Sequence, residues 1–327
     1  MREGTTAVTA HNNYDETPLA REVAELTRRR IALAEAVLPR PTHTRVFTVA
    51  NQKGGVGKTT STVNLAAALA QSGARVLVID LDPQGNASTA LGVEHRSDTA
   101  SVYDVMIDDV PMRDVVQSSP EFAGLDCVPA TIHLAGAEIE LVSLVAREQR
   151  LRTALQKFLG EAEEPYHYVF IDCPPSLGLL TLNAFVAARE VLIPIQCEYY
   201  ALEGLSQLLN NIELIQKHLN QKLRLSTILL TMYDSRTNLA NQVVDEVREH
   251  FPDQTLTTVI PRSVRISEAP SYGQSVISYD SNSPGSLSYR EAAAEIARRG
   301  AGGATLNGGV ATTGPTEVST AQAGETN

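Results

Sequence analysis

The chain has 327 residues, 43% hydrophobic and 20% charged, with a formal net charge of −11. This length suits one large α/β domain or two small ones, and no apolar run approaches the roughly 18 residues of a membrane-spanning helix. Three scattered cysteines, Cys127, Cys173 and Cys197, exclude a disulfide framework or a cysteine-rich metal site and read as buried thiols in a reducing cytoplasm.

Residues 1–43 read as an N-terminal extension carrying one amphipathic helix. Its opening segment lacks the apolar stretch of a secretory signal. Thr17 is placed to cap the helix, with Pro18 at the first helical position. Leu19, Val23, Leu26, Leu33 and Val37 recur at steps of three, four and seven, forming one apolar stripe, and Pro39 and Pro41 end it. The run Arg28-Arg29-Arg30 interrupts that stripe. A helix packed on its own domain or on a dimer partner is expected; a docking or membrane-surface helix is the alternative.

Between residues 44 and 299, short apolar runs alternate with amphipathic stretches. "RVFTVA", "RVLVID", "LDCVPA", "YVFIDC", "VLIPIQ", "LRLSTILLTMY" and "TVIP" predict buried strands. "TTSTVNLAAALAQSG", "LGLLTLNAFVAAR" and "LEGLSQLLNNIELIQKHL" predict helices between them. The rhythm implies an α/β domain: a mostly parallel twisted sheet flanked by helices on both faces. From residue 300 to 327 the chain is rich in Gly, Ala and Thr and has no basic residue; it reads as a disordered C-terminal tail.

The stretch "NQKGGVGKTT" follows the first strand and opens a helix, the context of a phosphate-binding loop. Counting back from Gly57-Lys58-Thr59, the loop's first glycine falls at position 52, where the chain has Gln52 and then a second lysine, Lys53. Gly54, Gly55 and Gly57, around Val56, still allow backbone N–H groups to approach phosphate oxygens. The helix N-terminus adds its dipole. Lys58 is expected on the β- and γ-phosphates, the Thr59 hydroxyl on Mg²⁺, and Thr60 on the α-phosphate. Two strands end in acids, at Asp80 and Asp172, with Asp82 in the loop between; carboxylates at strand ends of an open α/β sheet converge on such a loop. Asp172 reads as the Walker B residue, holding Mg²⁺ through water.

"KGGVGKTT", "DLDPQGNAS", "FIDCPPSLG", "PIQCEYYALEGLSQL" and "IPRSVRISEAPSYGQSV" together resemble the ParA (Soj-type) partition ATPases of the deviant Walker A class, over about residues 44–299. The resemblance implies that Lys53 crosses an ATP-sandwiched homodimer to the partner's phosphates. It implies that Lys58 is the loop lysine, that Asp82 is required for hydrolysis, that Asp80 supports the metal-water network, and that Met232 and Pro261 flank the adenine. It also implies ATP and Mg²⁺ as cofactors.

Function within this class divides into partition, membrane-associated division of the MinD kind, and iron–sulfur or other metabolic chemistry. The cysteines sit in apolar strand contexts, against a bridging cluster. The C-terminus lacks the apolar and basic residues of an interfacial helix, against membrane binding. The resemblance maps Arg236, Arg262 and Arg265 onto DNA-contacting positions, with Lys217, Lys222 and Arg224 adding charge nearby in sequence. Residues 201–265 hold seven basic and seven acidic residues, so any surface for non-specific double-stranded DNA must arise from geometry. The reading is a cytoplasmic, nucleoid-associated partitioning ATPase with a ParB-type partner.

Overall fold

A computed structural model describes residues 17–34, 36–198 and 201–301. Eight strands build one sheet: β1 (Arg45–Val49), β2 (Val76–Asp80), β3 (Gln117–Ser118), β4 (Leu125–Val128), β5 (Tyr168–Asp172), β6 (Glu190–Gln196), β7 (Arg224–Tyr233) and β8 (Thr255–Pro261). Their spatial order is β3-β4-β2-β5-β1-β6-β7-β8. Every neighbouring pair is parallel except β3 with β4. Seven strands match the apolar runs; β3, two residues at the sheet edge, is too short to leave a pattern.

The continuous apolar runs follow from burial on both faces. Leu77 and Ile79, with Val169 and Ile171, join one core, beneath helices that include Arg150–Glu161 and Leu179–Ala187. Val76 and Val78, with Phe47 and Phe170, join the other, beneath Lys58–Gln71 and Pro284–Ala301. Phe47 and Phe170 are paired across β1 and β5, with rings stacked 5.2 Å apart. Alanines on Lys58–Gln71 and Pro284–Ala301, among them Ala66, Ala67, Ala292 and Ala293, are buried in this second core; small side chains let helix backbones approach closely.

The topology positions the site. β1 lies between β5 and β6, but its following helix leads to β2 on one side while β5 is followed by β6 on the other. The crevice at such a reversal, outside the carboxyl ends of the strands, is where open α/β sheets bind ligands.

The helix Pro18–Ala34 forms as its cap predicts: the Ala20 N–H donates to Thr17 Oγ1 at 3.2 Å. Its seating differs from the expected apolar stripe. Val23 and Val37 are exposed, while Leu26 and Leu33 are only half-buried. The basic run supplies the anchors instead, with Arg29 bidentate to Glu291 and Arg30 donating to the Asn282 carbonyl. At the other end, Gly300 and Ala301 complete the helix Pro284–Ala301, and the rest of the expected tail, 302–327, lies outside the described residues, as do residues 1–16. Among the described residues no helix is long and apolar enough to cross a membrane.

Candidate nucleotide site

The loop runs from the end of β1 into the helix Lys58–Gln71. Gly55 and Gly57 have φ of +73° and +89°, backbone conformations that side chains with a Cβ adopt only with strain. A Cβ on Gly54 or Gly55 would meet nothing within 4 Å, so these two glycines line open space rather than packed protein. Beside them Val56 is buried, and its carbonyl accepts from the Thr231 hydroxyl at 2.9 Å, tying the loop to β7. Asn51 braces the entry: its Nδ2 donates to the Pro194 carbonyl at 2.8 Å and its Oδ1 accepts from the Lys53 N–H at 3.0 Å. Sequence reasoning passed over Asn51 and Thr231, and neither residue type marks its role without knowing which strands adjoin.

The two lysines occupy different places. Lys58 is 8% exposed, and its Nζ donates to the Lys53 carbonyl at 3.3 Å, which folds it back over the loop. Burial lowers its pKa, and the Asp172 carboxylate opposes that shift. Lys53 is exposed and pairs with Glu198 at 3.1 Å, while Gln196 donates to the other oxygen of Glu198. Glu198 was another residue missed; it stands in a loop with no local signature.

Asp80 and Asp172 end adjacent parallel strands in direct register and are fully buried. Asp172 accepts from the Thr59 hydroxyl at 2.6 Å and from Thr62 at 3.2 Å. Asp80 is used in building the next loop: one oxygen accepts from the Ser88 N–H and hydroxyl at 2.9 and 2.7 Å, the other from the Asp82 N–H at 3.1 Å. Asp82 caps its own turn through Gln84 N–H at 3.0 Å. Among the described residues, no three His, Cys, Asp or Glu side chains gather to grip a metal ion. A hydroxyl and a carboxylate in contact, both hard oxygen donors, instead fit Mg²⁺, which keeps waters and takes phosphate oxygens as its other ligands.

Burial drives the pKa values of Asp80 and Asp172 upward, and the Asp80 charge pushes Asp172 further. A carboxyl raised in the folded state stabilises the fold below its unfolded pKa and loses that contribution as pH rises through the folded value. The chain in chelator is therefore expected to lose unfolding free energy from mildly acidic to mildly alkaline pH. Added Mg²⁺ and nucleotide should flatten that loss, because the cation takes the place of the proton. Denaturant titrations across pH with and without Mg²⁺ nucleotide measure both; a flat profile in chelator would refute the assignment.

Met232 has φ of +52°, a left-handed conformation that costs a side-chain-bearing residue roughly 1–3 kcal/mol and concentrates at functional sites. It follows Thr231, and the next residue, Tyr233, is in register with Pro261, so Met232 and Pro261 share the edge of the crevice. Thr60 stands in the first turn of the helix, half-buried, its carbonyl accepting from Asn64.

The arginines divide. Arg236 and Arg262 border one cavity, whereas Arg265 lies on the short helix Val264–Glu268. Arg236 is bidentate to Asp234 at 2.9 and 2.7 Å, and Arg265 meets Glu268 at 3.1 Å and Asp280 at 3.5 Å. Arg262 is exposed, with no ion pair among the described residues. Lys217, Lys222 and Arg224 do not join them. Arg224 begins β7 and Tyr233 ends it, about 30 Å apart along a strand of that length. All three cysteines are buried and free, as their strand contexts indicated.

A glycine loop between strand and helix, a buried lysine, and a hydroxyl on a strand-end aspartate define a P-loop nucleotide site. The family model described as an AAA domain matches residues 44–225. The sporulation initiation inhibitor protein Soj of Bacillus subtilis is 53% identical over 78% of this chain and 99% of its own length. The chromosome partitioning protein ParA of Myxococcus xanthus is 48% identical, over 84% and 95%. Among solved structures, a cobyrinic acid a,c-diamide synthase from Mycobacterium smegmatis with a bound ATP analog and magnesium superimposes with a TM-score of 0.66, at 40% identity over 78% of this chain and 95% of that one. The chain belongs to the Soj/ParA family of chromosome-partitioning P-loop ATPases.

Proposed function

We propose that this chain is a partitioning ATPase whose ATP-bound homodimer holds non-specific double-stranded DNA and lets go on hydrolysis. Its cofactors are ATP and Mg²⁺. The observation that carries the reading is the divergence of the two loop lysines: Lys58 is buried over the loop, while Lys53 is exposed on its rim. A second cation held only by an exposed pair with Glu198 can leave that pair for another subunit's phosphates.

Phosphoryl transfer needs positioning and positive charge more than covalent chemistry. Lys58 and the backbone N–H groups of Gly54 to Thr59 hold the β- and γ-phosphates, and Thr60 meets the α-phosphate. Thr59, and Asp172 through water, would hold Mg²⁺, which would neutralise charge developing on the phosphates. Asp80 shapes the loop that presents Asp82, and Asp82 orients the attacking water. Lys53 of each subunit completes the other's site, as an arginine finger does in trans. Met232 and Pro261 flank the adenine. Dimerisation then follows ATP, and turnover waits on a ParB-type partner.

Arg236, Arg262 and Arg265 of both subunits supply the DNA contacts, which involve phosphate only and carry no base readout. The protein then works in the cytoplasm, on the nucleoid. DNA binding should require ATP, fail with ADP, and weaken steeply with salt through counterion release. Arg265→Glu is expected to remove DNA binding and keep ATP-dependent dimerisation, since the residue is exposed and its surface ion pairs with Glu268 and Asp280 add little to the fold. DNA retention and light scattering measured together decide it; loss of both activities would assign Arg265 a folding role.

A further inference from the structure

The helix Pro18–Ala34 lies wholly before the segment matched by the family model, which begins at residue 44. Polar clasps hold it: Arg29 Nε meets Glu291 at 2.8 Å, and Arg30 donates to the Asn282 carbonyl. On one flank it encloses a cavity of about 500 Å³, within the size range of small-molecule sites. Glu25, Leu26 and Arg29 form the helix side; Tyr233, Pro261 and Arg262 stand opposite.

This cavity lies at the end of β7, the strand that ties down the nucleotide loop. Tyr233 is two residues beyond Thr231, whose hydroxyl holds the Val56 carbonyl, a separation of about 7 Å along a strand. The left-handed residue Met232 lies between them, within β7 where its register with β8 shifts. The lining combines flat or apolar surfaces from Tyr233, Leu26 and Pro261 with an acceptor in Glu25 and a donor in Arg29. That combination suits a planar heteroaromatic group with amine and ring-nitrogen edges: a purine base attached to phosphates in the loop.

We propose that the N-terminal helix is the outer wall of the base subsite, with Glu25, Leu26 and Arg29 as nucleotide-site residues and Glu291 as a positioning residue. The inference rests on reading the glycine loop as the phosphate site. The helix gives this chain a hold on the base that depends on one ion-paired clasp.

Two probes separate the base from the phosphates: ATP and inorganic tripolyphosphate, each titrated with Mg²⁺ into the full-length chain. Arg29→Ala breaks the clasp from the helix, and Glu291→Ala breaks it from outside this cavity. Both are expected to weaken ATP about tenfold while tripolyphosphate affinity holds. The charge-swapped double variant, Arg29→Glu with Glu291→Arg, remakes the clasp without the Arg29 donor and should recover ATP affinity in part. Unchanged ATP affinity in both single variants overturns the proposal, as does a parallel fall for the two ligands. If the unmodified chain binds tripolyphosphate as tightly as ATP, the wall fails and the phosphate site stands. If it binds neither, the phosphate reading fails and the wall with it.

Discussion

Lys58→Ala should abolish nucleotide binding, lowering ATP affinity by at least about 100-fold, or some 3 kcal/mol. Lys58 is almost fully buried at the start of the helix, and its Nζ is held on the loop's own backbone at 3.3 Å. Charge-assisted hydrogen bonds contribute about 1.5–3 kcal/mol each, and a lysine reaching two phosphates makes more than one. The same substitution should leave the ligand-free fold intact or slightly firmer, because a buried cation is costly to desolvate and burial lowers this pKa against the opposing Asp172 carboxylate. Nucleotide titration and thermal melting together test this. ATP affinity within a few-fold of the parent would mean that Lys58 does not serve the phosphates.

Asp82→Ala should leave ATP binding in place and reduce hydrolysis by about 10²–10⁴-fold, the usual contribution of a positioned acid or base. ATP would then hold the chain as a persistent DNA-bound dimer. The local structure requires a second variant, since Asp82 Oδ1 also caps its loop through the Gln84 N–H at 3.0 Å. Asp82→Asn keeps that acceptor and removes the charge. If the charge orients water, both variants stall. If only the turn matters, Asp82→Asn hydrolyses normally and Asp82→Ala does not. Phosphate release assayed beside DNA retention distinguishes these outcomes.

Much of this site was legible because its signals are local. A strand ending in Asp, a glycine-rich turn and a following helix occupy consecutive residues, and burial on both sheet faces makes each parallel strand a continuous apolar run. The N-terminal helix was legible as a helix from Thr17 and Pro18, but its docking was not. Its apolar stripe left Val23 and Val37 exposed, because a trough bordered by Glu291 and the Asn282 carbonyl selects arginine rather than leucine. Proximity along the chain misled in the same way at Lys217, Lys222 and Arg224, which the length of β7 carries away from Arg236.

The amino-acid sequence by itself determined the fold class, the nucleotide loop and the presence of two lysines where one serves the phosphates. Backbone geometry, capping and periodicity act over a few residues, so they are written in consecutive letters. Only the tertiary structure decided which polar groups meet: Thr59 on Asp172, Asp80 on Ser88, Lys53 on Glu198, Arg29 on Glu291. Those pairs span up to 262 residues of chain. Electrostatic partners are set by distance in space and by how much water packing excludes, and neither can be read along the chain.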